Sequence, residues 1–582
     1  MGHNEDEYAC DSFINYISIQ RHPIDQNARS FRDTQIILKL SKSLTVLSFT
    51  SRETNQFKNG IMQRCAIILL LVACSLTRAA NILYIDGVAS PSHFIWHKAL
   101  IHALAAKGHN VTALSVDVED KPVQNVTYIK LEGVYESLLS EEEGSLEMDF
   151  FEIGDMNTLS VLYMFNEYTV LGCKFTLNTK GLKQLLDYPR DFKFDLIISD
   201  YLNGPCVSSV AQHRFGRPPL IGATAFHGLT TTTPMTGAYS YSASVPNHEF
   251  NHPQAMSYCK RFENFVYNHF EELSKVYYML PQVDKIVRKE FPDIPYVGDL
   301  EKETRIVLLN SNPVIQYSEP TMPNVISVGG MQIVKSKELP DDLKKVVENA
   351  KNGAILFSLG TNLRSDMLGD ERLIEILNAM GHFPEYQFLW KFESDKMPIE
   401  VPKNVYIRKW MPQNDLLAHP NVKLFITHSG LLSTQEAVWN GVPIIGFPVF
   451  ADQHQNINYC VQQGVGKRLS LKNVKSKELV DAIKEVMADG RYRQNMSELS
   501  RLFRDQKETP LERAVWWVEW VLRNPTTQIL QSNAIRLSWF AKYSFDVIVP
   551  ILLVVFVVLS ISAKVVCKVL HSKKRQTKVK GE

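Results

Sequence analysis

The chain has 582 residues, too many for one ordinary domain, so two or three are expected. Hydrophobic residues make up 45% of it and charged ones 21%, which excludes a disordered chain. A net charge of +1 provides no basic field for nucleic acid. Eight scattered cysteines, with no short paired spacings, exclude a zinc signature and a dense disulfide framework; one or two unassigned bridges stay open.

Residues 1–61 read as a gene-model extension or a disordered segment, with translation expected to start at Met62. Met62-Gln63-Arg64 precedes the apolar run Cys65 to Leu76, and Thr77-Arg78-Ala79-Ala80 follows. A basic start, a short apolar stretch and small residues describe a secretory signal over 62–80; an uncleaved internal anchor is the alternative. "NILYI" (Asn81 to Ile85) is then a strand. After the loop "DGVASPS", Phe94, Ala99, Leu100, Ala103 and Leu104 lie close to helical spacing, with Gly108 closing the helix. "NVTALSV", "FDLIISD" and "PPLIGAT" are further buried strands. The pattern restarts near Ala354 with "AILFSLG", "EYQFLWKF", "NVYIRKW", "VKLFITH" and "VPIIGFP". Apolar strands alternating with helices predict a parallel sheet covered on both faces, twice over. The fold class is α/β, with two Rossmann-like domains facing across a cleft at 81–315 and 325–525. "NSNPVIQYSEPTMPNVISVGG" (Asn310 to Gly330) reads as the linker, and "ERAVWWVEWVLR" (Glu512 to Arg523) as a closing amphipathic helix.

Val547 to Ala563 carries no charge and predicts a C-terminal transmembrane helix, lengthened to 547–568 by snorkelling lysines. The basic tail 569–582 should stay cytosolic. Its end, "KVKGE", resembles a dilysine retrieval signal for the endoplasmic reticulum, which implies a single-pass type I protein of that membrane with lumenal domains. Asn110, Asn125 and Asn495 are then glycosylation acceptors of a glycoprotein, with Asn110 weakest because it falls on a strand.

In an open parallel sheet, ligands bind beyond the carboxyl ends of the strands. In the second half, strand ends deliver Trp410 and Gln413, then His428, then Asp452 and Gln453 to one crevice. Ser429, Gly430 and Ser433 fall at a helix start, where free backbone N–H groups attract anions. Gly430 admits a close phosphate, and Glu436 can accept from ribose hydroxyls. The set fits a base, a diphosphate, a ribose and a sugar. Alone, Trp410 would read as a core packer and the Asp-Gln pair as a solvated loop; their joint order argues otherwise.

"WMPQNDLLAHP…FITHSGLLSTQEAVWNGVPIIGFPVFADQ" resembles the signature of UDP-glycosyltransferases (UDP-glucosyl and glucuronosyl), and most of all the insect membrane-bound branch. The resemblance extends from Met62 to the basic tail. It implies a GT-B fold and a UDP-sugar co-substrate without another cofactor. It also implies that Trp410 stacks on uracil, Gln413 reads its edge and His428 and Ser433 contact the diphosphate. Glu436 would bind ribose, Asp452 and Gln453 the sugar, and Thr361 would lie near the phosphates. Ser429 stands where many relatives have Gly, and Leu432 where vertebrate members carry Asn.

The first half supplies "SPSHFIWHKAL". His93, at a helix N-terminus whose dipole disfavours imidazolium, is the candidate general base for the acceptor hydroxyl. Asp200, ending "FDLIISD", is its carboxylate partner, as the matching positions of relatives imply. Asp195, at the other end of that strand, points away. His97 follows His93 by one turn, but no third ligand is evident and no metal is expected; His97 and His102 read as packing or surface residues. The Tyr- and Phe-rich stretch Tyr239 to Leu280 suits a lipophilic acceptor pocket. The expected reaction is inverting transfer of a hexose, by analogy glucose, to small lipophilic alcohols and phenols, for detoxification or conjugation. Glucuronosyl transfer and a catalytically silent membrane-anchored carrier of hydrophobic ligands are the alternatives, and a homo-oligomer is left open.

Overall fold

The computed structural model describes residues 79–139, 150–154, 156–228 and 232–579. The expected extension and the secretory signal up to Arg78 lie outside them, as do residues 580–582. Two sheets carry the fold. The first contains β1 (Asn81–Asp86), β2 (Asn110–Ser115), β3 (Val126–Lys130), β4 (Leu196–Asp200), β5 (Leu220–Thr224), β6 (Thr304–Leu309) and β7 (Val325–Ser327), in the spatial order β3-β2-β1-β4-β5-β6-β7. The second contains β8 (Ala354–Ser358), β9 (Gln387–Lys391), β10 (Val405–Arg408), β11 (Val422–Thr427), β12 (Ile444–Gly446) and β13 (Gly466–Arg468), in the order β10-β9-β8-β11-β12-β13. Every pairing is parallel. Central strands such as "LIISD" and "AILFS" are buried at every position, because helices cover both faces.

Both sheets reverse direction beside their first strand, so each has a switch point: β1 against β4 in one, β8 against β11 in the other. A crevice opens beyond the strand ends at such a point. Residues of α1 (Pro91–Ala106), α3 (Gln413–Leu417), α4 (Leu431–Asn440) and α5 (Gln453–Gln462) line it, while α2 (Tyr258–Ser274), α6 (Pro510–Arg523), α7 (Trp539–Lys542) and α8 (Phe545–Val579) do not.

The expected linker at Asn310 to Gly330 is partly regular structure, since β7 lies inside it and pairs with β6. The closing helix α6, read as part of the second domain, returns to the first. Ala514, Val518 and Val521 are fully buried in the cluster that also holds Leu100 and Leu104 of α1. Its start is fixed by a capping box, with Thr509 accepting from the Glu512 N–H and the Glu512 carboxylate accepting from that of Thr509. A disulfide, Cys173–Cys206, ties two helices of the first lobe together. The exposed apolar helix α8 contains a stretch, Phe545–Ser572, long and apolar enough to cross a membrane.

Candidate functional site

β1 runs into α1, whose first residue is Pro91; with no N–H to satisfy and φ preset, it starts the helix two residues before His93. His93 is buried, and its Nδ1 lies 2.8 Å from Asp200 Oδ2 at the end of the neighbouring strand β4. The adjacency of β1 and β4 at the switch point is what joins residues 107 positions apart. Asp200 Oδ1 accepts the Leu202 N–H at 2.8 Å.

His97 is neither surface nor mere packing. It is fully buried, and its Nε2 lies 2.7 Å from the same Oδ2, while Tyr84 OH meets its Nδ1 at 2.8 Å. Asp200 thus meets both imidazoles, and one nitrogen or oxygen atom from each of His93, His97 and Asp200 lies within 4.8 Å of the others. His102, as expected, lies toward the surface, bonded to Tyr128 OH at 3.1 Å. Burial works to raise the Asp200 pKa, but the adjacent His93 and His97 outweigh it and hold the carboxyl well below its usual range. A carboxylate only accepts, so both contacts are N–H donations. That leaves His93 Nε2 as the lone-pair nitrogen. Burial opposes charge on His97, yet Asp86 and Asp200 together raise its pKa. Asp195 faces the other way, accepting the Asn81 N–H at 2.8 Å.

A cavity of about 440 Å³ runs from His93 to the second sheet. Thr361, Trp410, Gln413, His428, Gly430, Ser433, Glu436, Asp452 and Gln453 all line it, and Asp200 stands behind His93. All but Glu436, in the middle of α4, come from the segment after a strand or from a helix start. Trp410 follows β10 and is 57% exposed, so it is not the core packer that a lone tryptophan would suggest. Gln413 opens α3 and donates to Glu436 Oε2 at 2.7 Å and Ser433 Oγ at 3.0 Å. His428 follows β11 beside Gly360, which follows β8 at φ +87°. A Cβ on Gly360 or Gly430 would meet the His428 ring at 2.4 Å, so two glycines make room for it. Burial, aided by Lys391, pushes the His428 pKa down to about 3, so the ring is a neutral partner. Gln453 Oε1 accepts the Val449 N–H at 2.8 Å, which steadies the turn that presents Asp452. Asp452 Oδ2 is buried without a hydrogen-bond partner, and burial raises its carboxyl to about 6.

Two wall residues were not legible in the sequence. Lys391 ends β9 and is buried, with Nζ 2.9 Å from Gly360 O and 2.5 Å from Glu393 Oε1. Asn362 reaches across the cleft, its Oδ1 accepting from Ser90 Oγ at 3.1 Å. A lysine in a strand and an asparagine in a loop carry no motif. Of the aromatic stretch Tyr239 to Leu280, Tyr258, Phe262, Phe265 and Phe270 face outward and none lines this cavity, while Tyr239 and Tyr241 line a second pocket together with His248 and Tyr317.

Two parallel-sheet lobes facing across a cleft are the architecture of the GT-B class of glycosyltransferase. The calicheamicin glycosyltransferase CalG4 shares the fold with a TM-score of 0.54 at 14% identity, over 77% of this chain and all of that one. The glycosyltransferase of kitacinnamycin does so at 0.51 and 18%, over 76% of this chain and all of its own. The family described as UDP-glucoronosyl and UDP-glucosyl transferase matches residues 84–580, and the chain belongs to that family. It is 30% identical to UDP-glucosyltransferase 2 of Dactylopius coccus, over 87% of this chain and 96% of that protein. It is also 30% identical to UDP-glucuronosyltransferase 2B23 of Macaca fascicularis, over 79% and 88%. The chain is therefore a glycosyltransferase enzyme that uses a UDP-sugar, and its apolar C-terminal helix accords with a membrane-anchored protein.

Burial raises the Glu436 carboxyl to about 7 against the opposing Gln413 N–H, so near neutrality it is partly protonated. Hydroxyls that donate to it bind the ionised form, so donor affinity should rise with pH through that value. The KM for UDP-sugar is expected to fall about tenfold from pH 6 to pH 8. Glu436→Gln should abolish this dependence; an equal slope in the variant would assign it to another group.

Proposed function

We propose that the enzyme transfers a hexose, with inversion, from the UDP-sugar to a hydroxyl of a small lipophilic acceptor, with His93 as general base. The single observation that carries this is the His93–Asp200 contact at the wall of the donor cavity. His93 Nε2 takes the proton as the acceptor oxygen attacks the anomeric carbon, and Asp200 stabilises the imidazolium that forms. His97 is a positioning residue: it holds Oδ2 from the second side, itself anchored by Tyr84. In the donor half, Trp410 stacks on the base and Gln413 reads its edge. Glu436 holds the ribose, while His428, Ser433, Gly430 and Thr361 surround the diphosphate. Asp452 and Gln453 hold the sugar. The leaving diphosphate is met by hydrogen bonds and by Lys391 rather than by an imidazolium. No metal is assigned a step.

Phe226 packs on the His93 ring with centroids 5.3 Å apart, and Ile95 and Ala225 extend that apolar wall. This supports a lipophilic alcohol or phenol as acceptor, in conjugation or detoxification. Glucose is the proposed sugar. The unpartnered acceptor Asp452 Oδ2 suits a neutral hydroxyl, whereas a glucuronate carboxylate near it would be repelled. Competition between radiolabelled UDP-glucose and UDP-glucuronate on the purified enzyme tests this, with preferred transfer from UDP-glucuronate refuting it. We further assign the two lobes to the lumen of the endoplasmic reticulum. Asn110, Asn125 and Asn495 are all exposed, and a disulfide in the first lobe fits an oxidising compartment. Endoglycosidase H should shift the electrophoretic mobility of the protein from microsomes; resistance of an unglycosylated chain would remove the assignment.

His93→Ala is expected to lower kcat by about two to four orders of magnitude while UDP still binds. His97→Leu should lower kcat by about tenfold and displace its pH profile, with the donor KM unchanged, and His97→Gln should recover part of the loss. Undiminished turnover in His93→Ala, read by UDP release, would refute the base.

A further inference from the structure

α2 is built inside out. Its buried face is polar: Asn264 accepts the Asn247 N–H at 2.7 Å and donates to Ser242 O at 2.7 Å. Asn247 Nδ2 in turn donates to Asn268 Oδ1 at 2.6 Å and Glu271 Oε2 at 2.8 Å. Glu272 accepts from Lys542 Nζ at 2.7 Å and Tyr543 OH at 2.8 Å. The outward face carries Tyr258, Phe262, Phe265, Val266 and Phe270, each between 45% and 73% exposed, and Tyr277 at 67% continues it into the next turn. Spacings of three and four residues gather these on one side. A helix against water has the opposite arrangement, with its apolar stripe inward. A contiguous aromatic stripe of this kind marks a contact surface.

What covers the stripe follows from what it adjoins. Phe265 packs on His269 (ring centroids 4.3 Å), and His269 packs on Tyr543 (4.5 Å) and Trp539 (5.5 Å). Trp539 stacks on Phe545 at 5.2 Å, and Phe545 is the first residue of the spanning helix α8. The stripe is thus continuous, ring to ring, with the point where the chain enters the bilayer. Trp and Tyr at such a point anchor it at headgroup depth. The buried Lys542–Glu272 ion pair fastens α2 to that root. We propose that α2 is an interfacial helix, lying in the headgroup layer with its aromatic face in lipid, as a second membrane contact beside the spanning helix. The proposal rests on the membrane anchor and is independent of the choice of sugar, acceptor or base.

The test uses the full chain reconstituted in phosphatidylcholine vesicles containing phosphatidylserine, with p-benzoylphenylalanine replacing Phe262 or, as a control in the other lobe, the exposed Glu371. After irradiation, the peptide holding position 262 should carry a phospholipid mass and the peptide holding 371 should not. With the photoprobe at Val266 instead, the pair Phe262→Glu and Phe270→Glu should cut the lipid adduct about tenfold. UDP-glycosyl transfer by the same variants reports that they are folded, since none of these residues lines the donor cavity. Absence of lipid on position 262, crosslinks to a second copy of the chain in its place, or an undiminished adduct in the glutamate variant would each overturn the proposal.

Discussion

A carboxylate buried at the end of a parallel strand has to be kept ionised by its neighbours, and Asp200 is kept so by two imidazoles and one backbone N–H. Without them burial would protonate it, and a neutral acid would no longer require an N–H from His93. This sets the tautomer of His93 and hence which nitrogen is left for a substrate. The constraint reaches into the fold. Asp200 and His93 meet only because β4 lies beside β1, and His97 joins them because it stands one helical turn after His93 on α1.

The donor side obeys a different constraint. Here the problem is to surround an anion without a full complement of cations. The wall has a neutral His428, a helix start and the partly neutralised pair Lys391–Glu393. Gly360 and Gly430 keep the ring free of backbone neighbours that any Cβ would crowd. The two lobes use one topology for these two tasks. The switch point between β1 and β4 gathers His93 and Asp200, and the one between β8 and β11 gathers Gly360, His428 and Gly430. Asn362 and Ser90 already bridge the gap. The return of α6 onto the first lobe ties the two halves together away from the cleft.

Much of this was legible in the residues. Apolar runs marked nine of the thirteen strands, including all those that end at the cleft from the second sheet. Three of the missed strands are short or half-exposed, and the fourth, β6, is long and buried but poorly marked at its start. β3 alternates weakly at the sheet edge, β6 starts within a charged stretch, β7 sits in a Pro- and Asn-rich segment, and β13 holds only three residues. Site residues that belong to a compact run, from Trp410 to Gln453, could be read together. Lys391 and Asn362 could not, because nothing in their local sequence distinguishes them from surface residues.

By itself the sequence determined two parallel-sheet lobes, the crevice beyond their strand ends, the residues from Trp410 to Gln453 that line it and the apolar helix that follows. Those are local properties, carried by periodicity, by glycine and proline positions and by the spacing of polar groups along one segment. Tertiary structure alone decided that His97 shares the oxygen of Asp200, that α6 belongs to the first lobe's core, and that the aromatic residues of α2 face out. Each of these depends on which surface a helix turns toward a distant part of the chain. Helical spacing gathers residues on a face; whether that face meets a core, a carboxylate or a lipid is settled only when the other elements are in place.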